Sequence, residues 1–307
     1  MDSKNKLDHI SPKNKVKNPT TISIIVIFDQ IREEKLRRLC QSLKPSLTED
    51  TEVIFIHESE FAAELPLFPI NVQYSNVPPK QGIPFNRNQG IHHAQGKIIV
   101  FIDDDCWVQD NWLSSFLKHF EDDSIMAITS GTKIPPSNFI GDCIAALGFP
   151  GGGSLGFEKV WKVSADNFTN HLAVGNCALR RDIFDTIGLF DESMKSGAED
   201  AEFSYRLEKA GIVVKYEPAA YAYHEARTSL SSFIHWQLRR GRANYQFRRK
   251  VGPVGSFIKL RLWSAKNILG ENIFNPQIPF IFILLGSSFV LQQAGYFLEK
   301  RAQSKNS

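Results

Sequence analysis

Cysteine is scarce in this sequence, and so is net charge. The 307 residues carry a formal net charge of +3 and four cysteines, Cys40, Cys106, Cys143 and Cys177. The cysteines lie too far apart for the paired spacing of a zinc site or a disulfide scaffold, which favours reduced thiols in a cytosolic protein. The small net charge gives no argument for nucleic acid, so we expect no nucleic-acid partner.

Two kinds of segment are missing as well. Residues 1–20 are polar and lysine-rich without an apolar core, so they do not resemble a secretory signal, and we expect a flexible tail. The glycine cluster at residues 150–153 is not followed by Gly-Lys-Ser/Thr, which argues against a P-loop. The stretch around it, residues 131–170, lacks clear periodicity. It is either a flexible loop that covers substrate or a turn-rich connection.

The most informative stretch is an apolar run that ends in three acids. Residues 98–102 read Ile-Ile-Val-Phe-Ile, which is typical of a strand buried on both faces of a sheet. Asp103, Asp104 and Asp105 follow directly, and three adjacent carboxylates repel one another unless a cation is near. Open α/β sheets bind ligands at the carboxyl ends of their strands. The pattern therefore predicts a site for a divalent metal, Mg²⁺ or Mn²⁺, and a nucleotide diphosphate.

Strand and helix patterns alternate around this run, which predicts an α/β domain with a mixed, mostly parallel sheet flanked by helices. Strand patterns cover residues 21–28, 52–56, 71–74, 98–102, 125–130, 173–179, 212–216 and 219–223. Helical patterns cover residues 31–43, 86–95, 110–120, 181–187 and 199–210. Asp110 is the expected N-cap of the third helix, and Gly96, Gly188 and Gly211 are expected helix stops.

The chain after residue 228 has a different character. Helical patterns over residues 229–245 and 257–269 are basic and include Arg239, Arg240 and Arg242. Residues 278–298 form an apolar segment about as long as a membrane span requires, and the sequence leaves open whether it crosses the bilayer or lies on it. We expect three parts: a tail over residues 1–20, a catalytic domain over 21–228, and a helical membrane-associating appendage over 229–307.

A second acidic pair, Glu199 and Asp200, opens a predicted helix, where the helix dipole favours an ionised carboxylate. Alone, this pair reads as first-turn helix acids, and the aspartate run reads as turn and capping residues. Together they predict a two-part site. Asp103 and Asp105 are expected on the same side of a locally extended chain. Asp104 is expected to point away, toward backbone groups.

The motifs, in their order, resemble the family 2 glycosyltransferases of the GT-A (Rossmann-like) fold, over roughly residues 20–225. The first pieces are Ser-Ile-Ile-Val at residues 23–26, Arg-Asn-Gln-Gly at 87–90 and the DxD motif Phe-Ile-Asp-Asp-Asp at 101–105. Gly-Leu-Phe-Asp-Glu at 188–192, Gly-Ala-Glu-Asp-Ala-Glu at 197–202, Arg-Leu at 206–207 and Ala-Gly at 210–211 follow. Each motif alone is weak, whereas their order and spacing are specific.

The resemblance implies a role for each matched position. Asp105 would bind the metal, Asp103 the ribose or the metal, and His224 would be a further metal ligand. Asp200 would be the base of an inverting enzyme, with Glu199 orienting it or contacting the acceptor. The implied donor-binding residues are Asp29, Glu58, Arg87, Asp103 and Arg240. A structural histidine at 224 and a solvated surface arginine at 87 are the alternatives.

Three departures from the family pattern bear on specificity. The Asp-Asp that usually follows the second strand is His57-Glu58 here, and the proline common in the first strand is Val26. Both leave the donor nucleotide open. Gln237 and Arg240 resemble part of the Gln-x-x-Arg-Trp motif of processive synthases, but Gly241 stands in place of the tryptophan, which disfavours processive synthesis.

These patterns lead us to expect a metal-dependent glycosyltransferase that acts in surface polysaccharide biosynthesis. It would move a sugar from a nucleotide-diphosphate donor to a saccharide or lipid-linked acceptor, at the cytoplasmic face of the cell membrane or in the cytoplasm. A nucleotidyltransferase of related fold is the first alternative. It would carry a glycine-rich basic loop where residues 29–32 read Asp-Gln-Ile-Arg. The second alternative is a non-catalytic, membrane-associated scaffold, which His57-Glu58 leaves open.

Overall fold

The computed structural model describes residues 21–28, 32–58, 72–252 and 255–305. The predicted tail over residues 1–20 and the predicted donor ligand Asp29 lie outside these ranges.

The strands are β1 (Ile22–Phe28), β2 (Thr51–Glu58), β3 (Val72–Val77), β4 (Ile98–Ile102), β5 (Cys106–Trp107), β6 (Ala127–Thr129), β7 (Thr132–Lys133), β8 (Phe168–Thr169), β9 (Asn176–Arg180), β10 (Val214–Tyr216) and β11 (Ala222–His224). The helices are α1 (Glu33–Leu43), α2 (Ile83–His93), α3 (Trp112–Leu117), α4 (Phe139–Ala145), α5 (Phe157–Val160), α6 (Ile183–Ile187), α7 (Glu199–Lys209), α8 (Leu230–Val251), α9 (Gly255–Glu271) and α10 (Ile278–Lys305).

Within the described residues, eight strands form the main sheet in the order β3-β2-β1-β4-β9-β6-β10-β8. The strands from β3 to β4 are parallel, and β10 is parallel to β6. Strand β9 runs antiparallel between β4 and β6, and β8 runs antiparallel along β10. A small second sheet, β5-β11-β7, lies at the end of β4. The mixed, mostly parallel α/β fold is confirmed.

Alternating side chains of the central strands face two apolar layers, as a strand covered on both sides requires. On β1, Ile24 and Val26 pack in the layer that includes Leu39 of α1 and Phe116 of α3. Ile25, between them, belongs to the opposite layer, which contains residues of α2, α6 and α7. The whole of β4 is buried, so the residues just beyond its end have a rigid support.

Several predicted helix boundaries are wrong; helix α8, for example, continues to Val251, beyond the predicted end at residue 245. Helix α2 covers residues 83–93 and ends before Gly96, which has a packing role instead: a Cβ there would lie 2.6 Å from the backbone nitrogen of Ser23. Helix α3 begins at Trp112 with Asn111 in the N-cap position, so Asp110 is not its cap. The differences at the end of α2 and at the start of α3 are one to two residues, and helix ends are the part of an element that local patterns place least well.

The glycine-rich stretch is a packed, turn-rich connection. It contains α4 and α5, and Gly152 and Gly153 are buried. A Cβ at Gly152 would lie 2.4 Å from the nitrogen of Phe157, and one at Gly153 would lie 2.4 Å from the carbonyl oxygen of Ala145. Glycine is needed where backbones approach this closely, in conformations with positive φ. This packing favours the turn-rich connection over a loose covering loop.

The C-terminal helices pack on α4 and on one another around a third apolar cluster, which includes Leu147, Phe233 and Leu284. Helices α8 and α10 run side by side. Their backbones approach at two glycines: a Cβ at Gly241 would lie 2.1 Å from the carbonyl oxygen of Gln292, and one at Gly295 would lie 2.1 Å from that of Leu238. Among the described helices, α10 is long and apolar enough to cross a bilayer.

Candidate active site

The three consecutive aspartates occupy a tight turn at the carboxyl end of β4. The N–H of Cys106 donates to the carbonyl oxygen of Asp103 at 3.2 Å, so the predicted extended chain is wrong here. The turn nevertheless keeps Asp103 and Asp105 within electrostatic reach. Burial raises the pKa of Asp103; Arg87 opposes this increase and the charge of Asp105 adds to it.

Asp104 has a partner that the sequence did not suggest. Arg32, just before α1, donates to both of its carboxylate oxygens, at 2.8 and 3.0 Å. The expected bonding to backbone is therefore wrong. Burial and the charge of Asp105 raise the pKa of Asp104 to about 7, although Arg32 acts in the opposite direction. The Arg32–Asp104 pair ties the start of α1 to the aspartate turn.

Asp105 and His224 form the centre of the candidate metal site. His224 lies opposite Cys106 in the β5–β11 pairing, which brings its Nε2 to 3.2 Å from Asp105 Oδ1. Its Nδ1 lies 2.7 Å from the carbonyl oxygen of Glu225 and can donate there, which leaves the Nε2 lone pair for a cation. The carboxylate suits Mg²⁺ or Mn²⁺, whereas an imidazole favours a transition-metal ion, so this donor pair fits Mn²⁺ better than Mg²⁺.

Cys106 is near this pair but differs from it chemically. Its Sγ, a carboxylate oxygen of Asp105 and a ring nitrogen of His224 all lie within 4.8 Å of one another. Burial, together with the negative charges of the three aspartates, raises the pKa of the Cys106 thiol well above its ordinary value. A buried, protonated thiol is a poor ligand for a hard cation. Cys106 therefore belongs to the core beneath the site.

Arg87 connects the two acidic clusters. It lies on α2 and is 5% exposed, which excludes a solvated surface arginine. Its Nη1 lies 2.5 Å from Glu199 Oε1, and its Nη2 lies 3.7 Å from Asp103 Oδ1. The guanidinium also packs near the rings of Phe101 and Phe190. A single buried cation therefore holds the end of β4 next to the start of α7.

Glu199 and Asp200 open α7, as predicted. The carboxylate of Glu199 is held by Arg87, whereas Asp200 Oδ1 accepts a hydrogen bond from the N–H of Ala201 at 2.7 Å. Burial raises the pKa of Asp200, and the Ala201 N–H and the charges of Arg87 and Arg240 limit the increase. The helix start thus favours the ionised form, but burial has the larger effect.

The loop that precedes α7 is strained and is supported by α8. Ala198 has φ +64°, a conformation that costs a side-chain-bearing residue on the order of 1 kcal/mol. The N–H of Ser196 donates to Gln246 on α8 at 3.2 Å, and the carbonyl oxygen of Ser196 accepts from Arg239 at 3.2 Å. The basic helix α8 therefore helps to orient Glu199 and Asp200.

The role of Gly175, which lies opposite the aspartate turn, was missed by the sequence reasoning. The carbonyl oxygen of Gly175 accepts from the N–H of Asp103 at 3.2 Å. A Cβ at Gly175 would lie 2.3 Å from Asp103 Oδ2. Glycine is therefore required for the carboxylate of Asp103 to occupy its position. A lone glycine inside the strand predicted over residues 173–179 was the available signal, and it is a weak one.

The remaining predicted donor ligands lie in different places. Glu58, at the end of β2, accepts a hydrogen bond from Asn86 Nδ2 at 2.9 Å, beside Arg87. Arg240, on α8, packs over the ring of Phe149 with 4.1 Å between the guanidinium carbon and the ring centroid. The charges that act on Arg240 include those of Asp200 and Arg261. Their donor-binding roles stay predictions.

Three arginines near the acids were not singled out from the sequence: Arg32, Arg227 and Arg261. Arg227 stacks on Trp236 at 4.8 Å, and the charge of Asp105 acts on it. Each of these arginines follows or belongs to an element remote in sequence from the acids. No local pattern separates them from surface arginines.

Three solved structures share the fold of this chain. The mannosyltransferase PcManGT from Pyrobaculum calidifontis, in complex with GDP-Man and Mn²⁺, is 15% identical and has a TM-score of 0.56; the match covers 92% of this chain and 84% of that chain. GalNAc-T7 with UDP, GalNAc and Mn²⁺ is 16% identical, with a TM-score of 0.53 over 85% of this chain and 58% of that chain. S. aureus TarS 1-349 is 14% identical, with a TM-score of 0.51 over 94% and 92% of the two chains. At these identities the likeness shows the fold, which is GT-A.

Sequence relatives agree with the fold. The pre-mycofactocin glycosyltransferases of two strains of Mycobacterium tuberculosis are 26% identical over 166 residues, which cover 53% of this chain and 34% of theirs. The chain spans about a third of the length of these curated relatives. The model of the family described as glycosyl transferase family 2 matches residues 23–188, more than half of the chain. The resemblance noted from the motifs is confirmed: the chain belongs to glycosyl transferase family 2.

Proposed function

We propose that this protein is a metal-dependent, inverting glycosyltransferase that moves a sugar from a nucleotide-diphosphate donor to an acceptor hydroxyl. The observation that carries the proposal is the meeting of two acidic clusters at the carboxyl edge of the sheet. Asp103, Asp105 and His224 lie on one side, Glu199 and Asp200 lie on the other, and Arg87 contacts both. Such a site has a donor half and an acceptor half.

In the donor half, Asp105 and His224 would hold Mg²⁺ or Mn²⁺. The ion, when bound, supplies positive charge that stabilises the departing diphosphate. Asp103 is proposed to contact the donor ribose or the ion, and Arg87 Nη2 lies 3.7 Å from its Oδ1. Arg227, on which the charge of Asp105 acts, is a further candidate for contact with the diphosphate. Glu58 and Asn86 line the same edge and are candidates for contacts with the nucleoside.

In the acceptor half, Asp200 is the proposed base. The carboxylate of Asp200 takes the proton of the acceptor hydroxyl while the hydroxyl oxygen forms a bond to the anomeric carbon. The bond from that carbon to the diphosphate breaks, and the nucleoside diphosphate leaves with its electrons. Glu199 is a positioning residue, because its carboxylate is occupied by Arg87. The strained Ala198 and the Ser196 contacts with α8 hold Asp200 in its orientation.

We further propose that the protein works at a membrane surface, with α10 in the plane of the interface. Its solvent side carries a row of exposed apolar residues, which we call the α10 stripe: Phe282, Ile283, Phe289, Val290, Phe297 and Leu298. Lys300 and Arg301 follow the stripe, and Lys259 and Lys266 are exposed on α9. An apolar stripe with basic neighbours suits the interface of an anionic bilayer.

The packing of α10 argues against a membrane span. Gln292, inside the apolar segment, accepts a hydrogen bond from Asn244 and donates to Gln237, both on α8. Arg239, Arg240 and Arg242 lie on α8 at the same level. If α10 crossed the bilayer in this arrangement, these arginines would enter the hydrocarbon, where each costs about 2.5–3.5 kcal/mol on translocon-insertion scales. The in-plane position avoids this cost.

The test of the proposed activity is a donor screen. GDP-mannose and UDP-GalNAc are the first donors to try, because solved structures of the same fold hold GDP-Man or UDP and GalNAc. We expect Mn²⁺-dependent release of nucleoside diphosphate from at least one nucleotide sugar. Asp200→Asn should lower transfer about 10²- to 10⁴-fold and leave donor binding unchanged, whereas Asp185→Asn, at an exposed position on α6, should have no effect. Wild-type turnover in Asp200→Asn would show that the base is wrong.

The acceptor class, a saccharide or a lipid-linked saccharide, and the role in surface polysaccharide biosynthesis stay predictions. So does the location at the cytoplasmic face of the membrane. The family and the site support glycosyl transfer. A panel of acceptors should follow once a donor is known.

A further inference from the structure

Glu225 contacts both candidate metal ligands through its backbone. It follows His224 directly, just beyond the end of β11. Its N–H donates to the carbonyl oxygen of Asp105 at 3.3 Å, and its carbonyl oxygen lies 2.7 Å from His224 Nδ1. Because a carbonyl oxygen only accepts hydrogen bonds, this contact places the ring proton on Nδ1 and leaves Nε2 for a cation. The position of the Glu225 backbone therefore sets how both ligands face the ion.

The side chain of Glu225 is held by α1. Its Oε1 accepts a hydrogen bond from Arg38 Nη2 at 2.5 Å, and its Oε2 forms an ion pair with Lys35 Nζ. Residues three apart on a helix share a face, so α1 presents two cations to one carboxylate. With both oxygens occupied, the carboxylate is fixed in direction as well as in place.

Arg38 is fixed in turn by the small second sheet. Its guanidinium carbon lies 3.9 Å from the centroid of the Trp107 ring on β5. Trp107 stacks on Tyr223, with 5.4 Å between the ring centroids, and Tyr223 adjoins His224 on β11. The cation that holds Glu225 is therefore packed on the same sheet that carries His224.

The alternative is an ordinary surface ion pair, which contributes little. Two observations favour a role in the site. The side chain of Glu225 is 29% exposed, less than either member of the Lys159–Glu271 pair between α5 and α9, at 39% and 46%. In addition, Arg32, directly before α1, binds Asp104. The start of α1 is thus tied to the aspartate turn at one point and to the residue after the metal-site histidine at another.

We propose that Glu225 is a positioning residue of the metal site. Lys35 and Arg38 hold its carboxylate. Its backbone then keeps Asp105 and His224 in the geometry that binds the ion. This inference rests on the proposed function and names a residue that sets metal affinity through the ligands. Loss of such a partner typically costs about 10- to 100-fold in metal affinity.

Binding of Mn²⁺ tests the proposal without turnover. Electron paramagnetic resonance detects free Mn²⁺, so titrations of the full chain, alone and with GDP or UDP, give the affinity. We expect Glu225→Ala to weaken Mn²⁺ binding about 10- to 100-fold, and Glu225→Gln, which keeps one acceptor oxygen, to recover part of this loss. Glu271→Gln, which removes the same charge from the more exposed pair with Lys159, should keep wild-type affinity. Wild-type affinity in Glu225→Ala would overturn the positioning role.

The partners of Glu225 distinguish positioning from a simple effect of charge. Removing cations near a metal site should by itself strengthen the binding of a metal ion, because like charges repel. The positioning role predicts the opposite: Lys35→Gln/Arg38→Gln should weaken Mn²⁺ binding at least about tenfold. Unchanged or stronger binding would overturn the proposal. Circular dichroism melting shows which variants are folded, and the single variant Lys35→Gln gives the same test with less disturbance of α1.

Donor turnover separates this proposal from the proposed function. If Glu225→Ala binds Mn²⁺ as tightly as the wild type and the wild type turns over a nucleotide sugar, the positioning role fails and glycosyl transfer stands. If the Glu225 and Lys35 variants lose Mn²⁺ as expected while the wild type turns over no donor, the positioning role stands and the proposed function fails. A wild type that turns over donor and binds no Mn²⁺ under any of these conditions would overturn the positioning role and the metal dependence together.

Discussion

Arg87 Nη1 lies 2.5 Å from Glu199 Oε1, and both side chains are buried. A buried ion pair is costly to break, because removing one partner leaves the other charge without compensation. We therefore predict that Arg87→Met destabilises the protein by about 3–5 kcal/mol and abolishes transfer. The double variant Arg87→Met/Glu199→Gln should regain part of the stability and none of the activity. Urea unfolding of the single and double variants measures the coupling between the two residues.

An exposed pair on α1 provides the control for this cycle. Arg37 and Glu33 also lie 2.5 Å apart, but both side chains are more than half exposed. Solvent screening makes such pairs weak, at about 0.3–0.5 kcal/mol for this i,i+4 spacing. The loss of unfolding free energy in Arg37→Met should therefore be far smaller than the loss in Arg87→Met. Equal losses in the two variants would contradict a linking role for Arg87.

The pH dependence of transfer should report on Asp200. Burial raises the pKa of Asp200, and Arg87 and Arg240 oppose the increase. A base acts when ionised, so activity is present above this pKa and is lost as pH falls through it. The loss should therefore occur at a higher pH than the ordinary aspartate value of about 3.9. Arg240→Gln removes one of the cations that lower the pKa of Asp200. At saturating acceptor, the remaining transfer rate of this variant should therefore be lost at a still higher pH. If Arg240→Gln instead lost activity at a lower pH than the wild type, Asp200 would not be the base.

Membrane association should depend on the α10 stripe. Phe282 and Val290 are 62% and 70% exposed, and replacing both with glutamate places charge where lipid contact is proposed. We expect the double variant to lose at least about 90% of its binding to vesicles of phosphatidylcholine and phosphatidylglycerol, since buried apolar area supplies the affinity. Val213→Glu, an exposed apolar position outside α10, is the control. Release of the wild type by alkaline carbonate would agree with an in-plane helix, and resistance would indicate a span.

The fold was predictable from sequence because its strongest signals are local. The buried run Ile98–Ile102 and the helix that opens at Glu199 both appear where the patterns place them. Helix ends were less predictable: Gly96 is a glycine because the backbone of Ser23 lies against it, not because α2 stops there. Side-chain periodicity reports which face is buried, but it does not report which distant segment covers that face.

The site was predictable to the extent that its residues are adjacent in sequence. The acids at 103–105 and 199–200 were found because acids that end a buried strand or open a helix are conspicuous. Their partners were not, because Arg32 lies 72 residues from Asp104. Arg87, matched through the family motif, lies 112 residues from Glu199, and its contact with that residue needed the structure. Only the sheet order, in which β4 has β1 and β9 as neighbours, brings such residues together.

Asn176 shows that stability, too, depends on contacts between residues that are distant in sequence. It is 1% exposed. Its Oδ1 accepts from Trp112 Nε1, and its Nδ2 donates to the carbonyl oxygens of Gly131 and Ala220, each at 2.9 Å. Asn176→Leu leaves these partners unsatisfied, at about 1–3 kcal/mol for each buried group, so we expect a loss of about 3 kcal/mol or more. Asn170→Leu, at an exposed position, should change the free energy of unfolding by less than about 0.5 kcal/mol.

Metal binding should require Asp105 and His224 and should not require Cys106. In calorimetric titrations with Mn²⁺ and a nucleoside diphosphate, Asp105→Ala and His224→Ala should each weaken binding about 100-fold or more, since even outer-shell partners of a metal cost 10–100-fold. Asp110→Ala, exposed and four residues beyond Cys106, is the control. Cys106→Ser should keep wild-type affinity, because the raised pKa of the thiol leaves it protonated and the ion prefers oxygen and nitrogen. A Cys106→Ser variant that loses Mn²⁺ as completely as Asp105→Ala would mean that the thiolate is a ligand. The bound ion would then be a softer cation than Mg²⁺ or Mn²⁺, because softer cations prefer thiolate ligands.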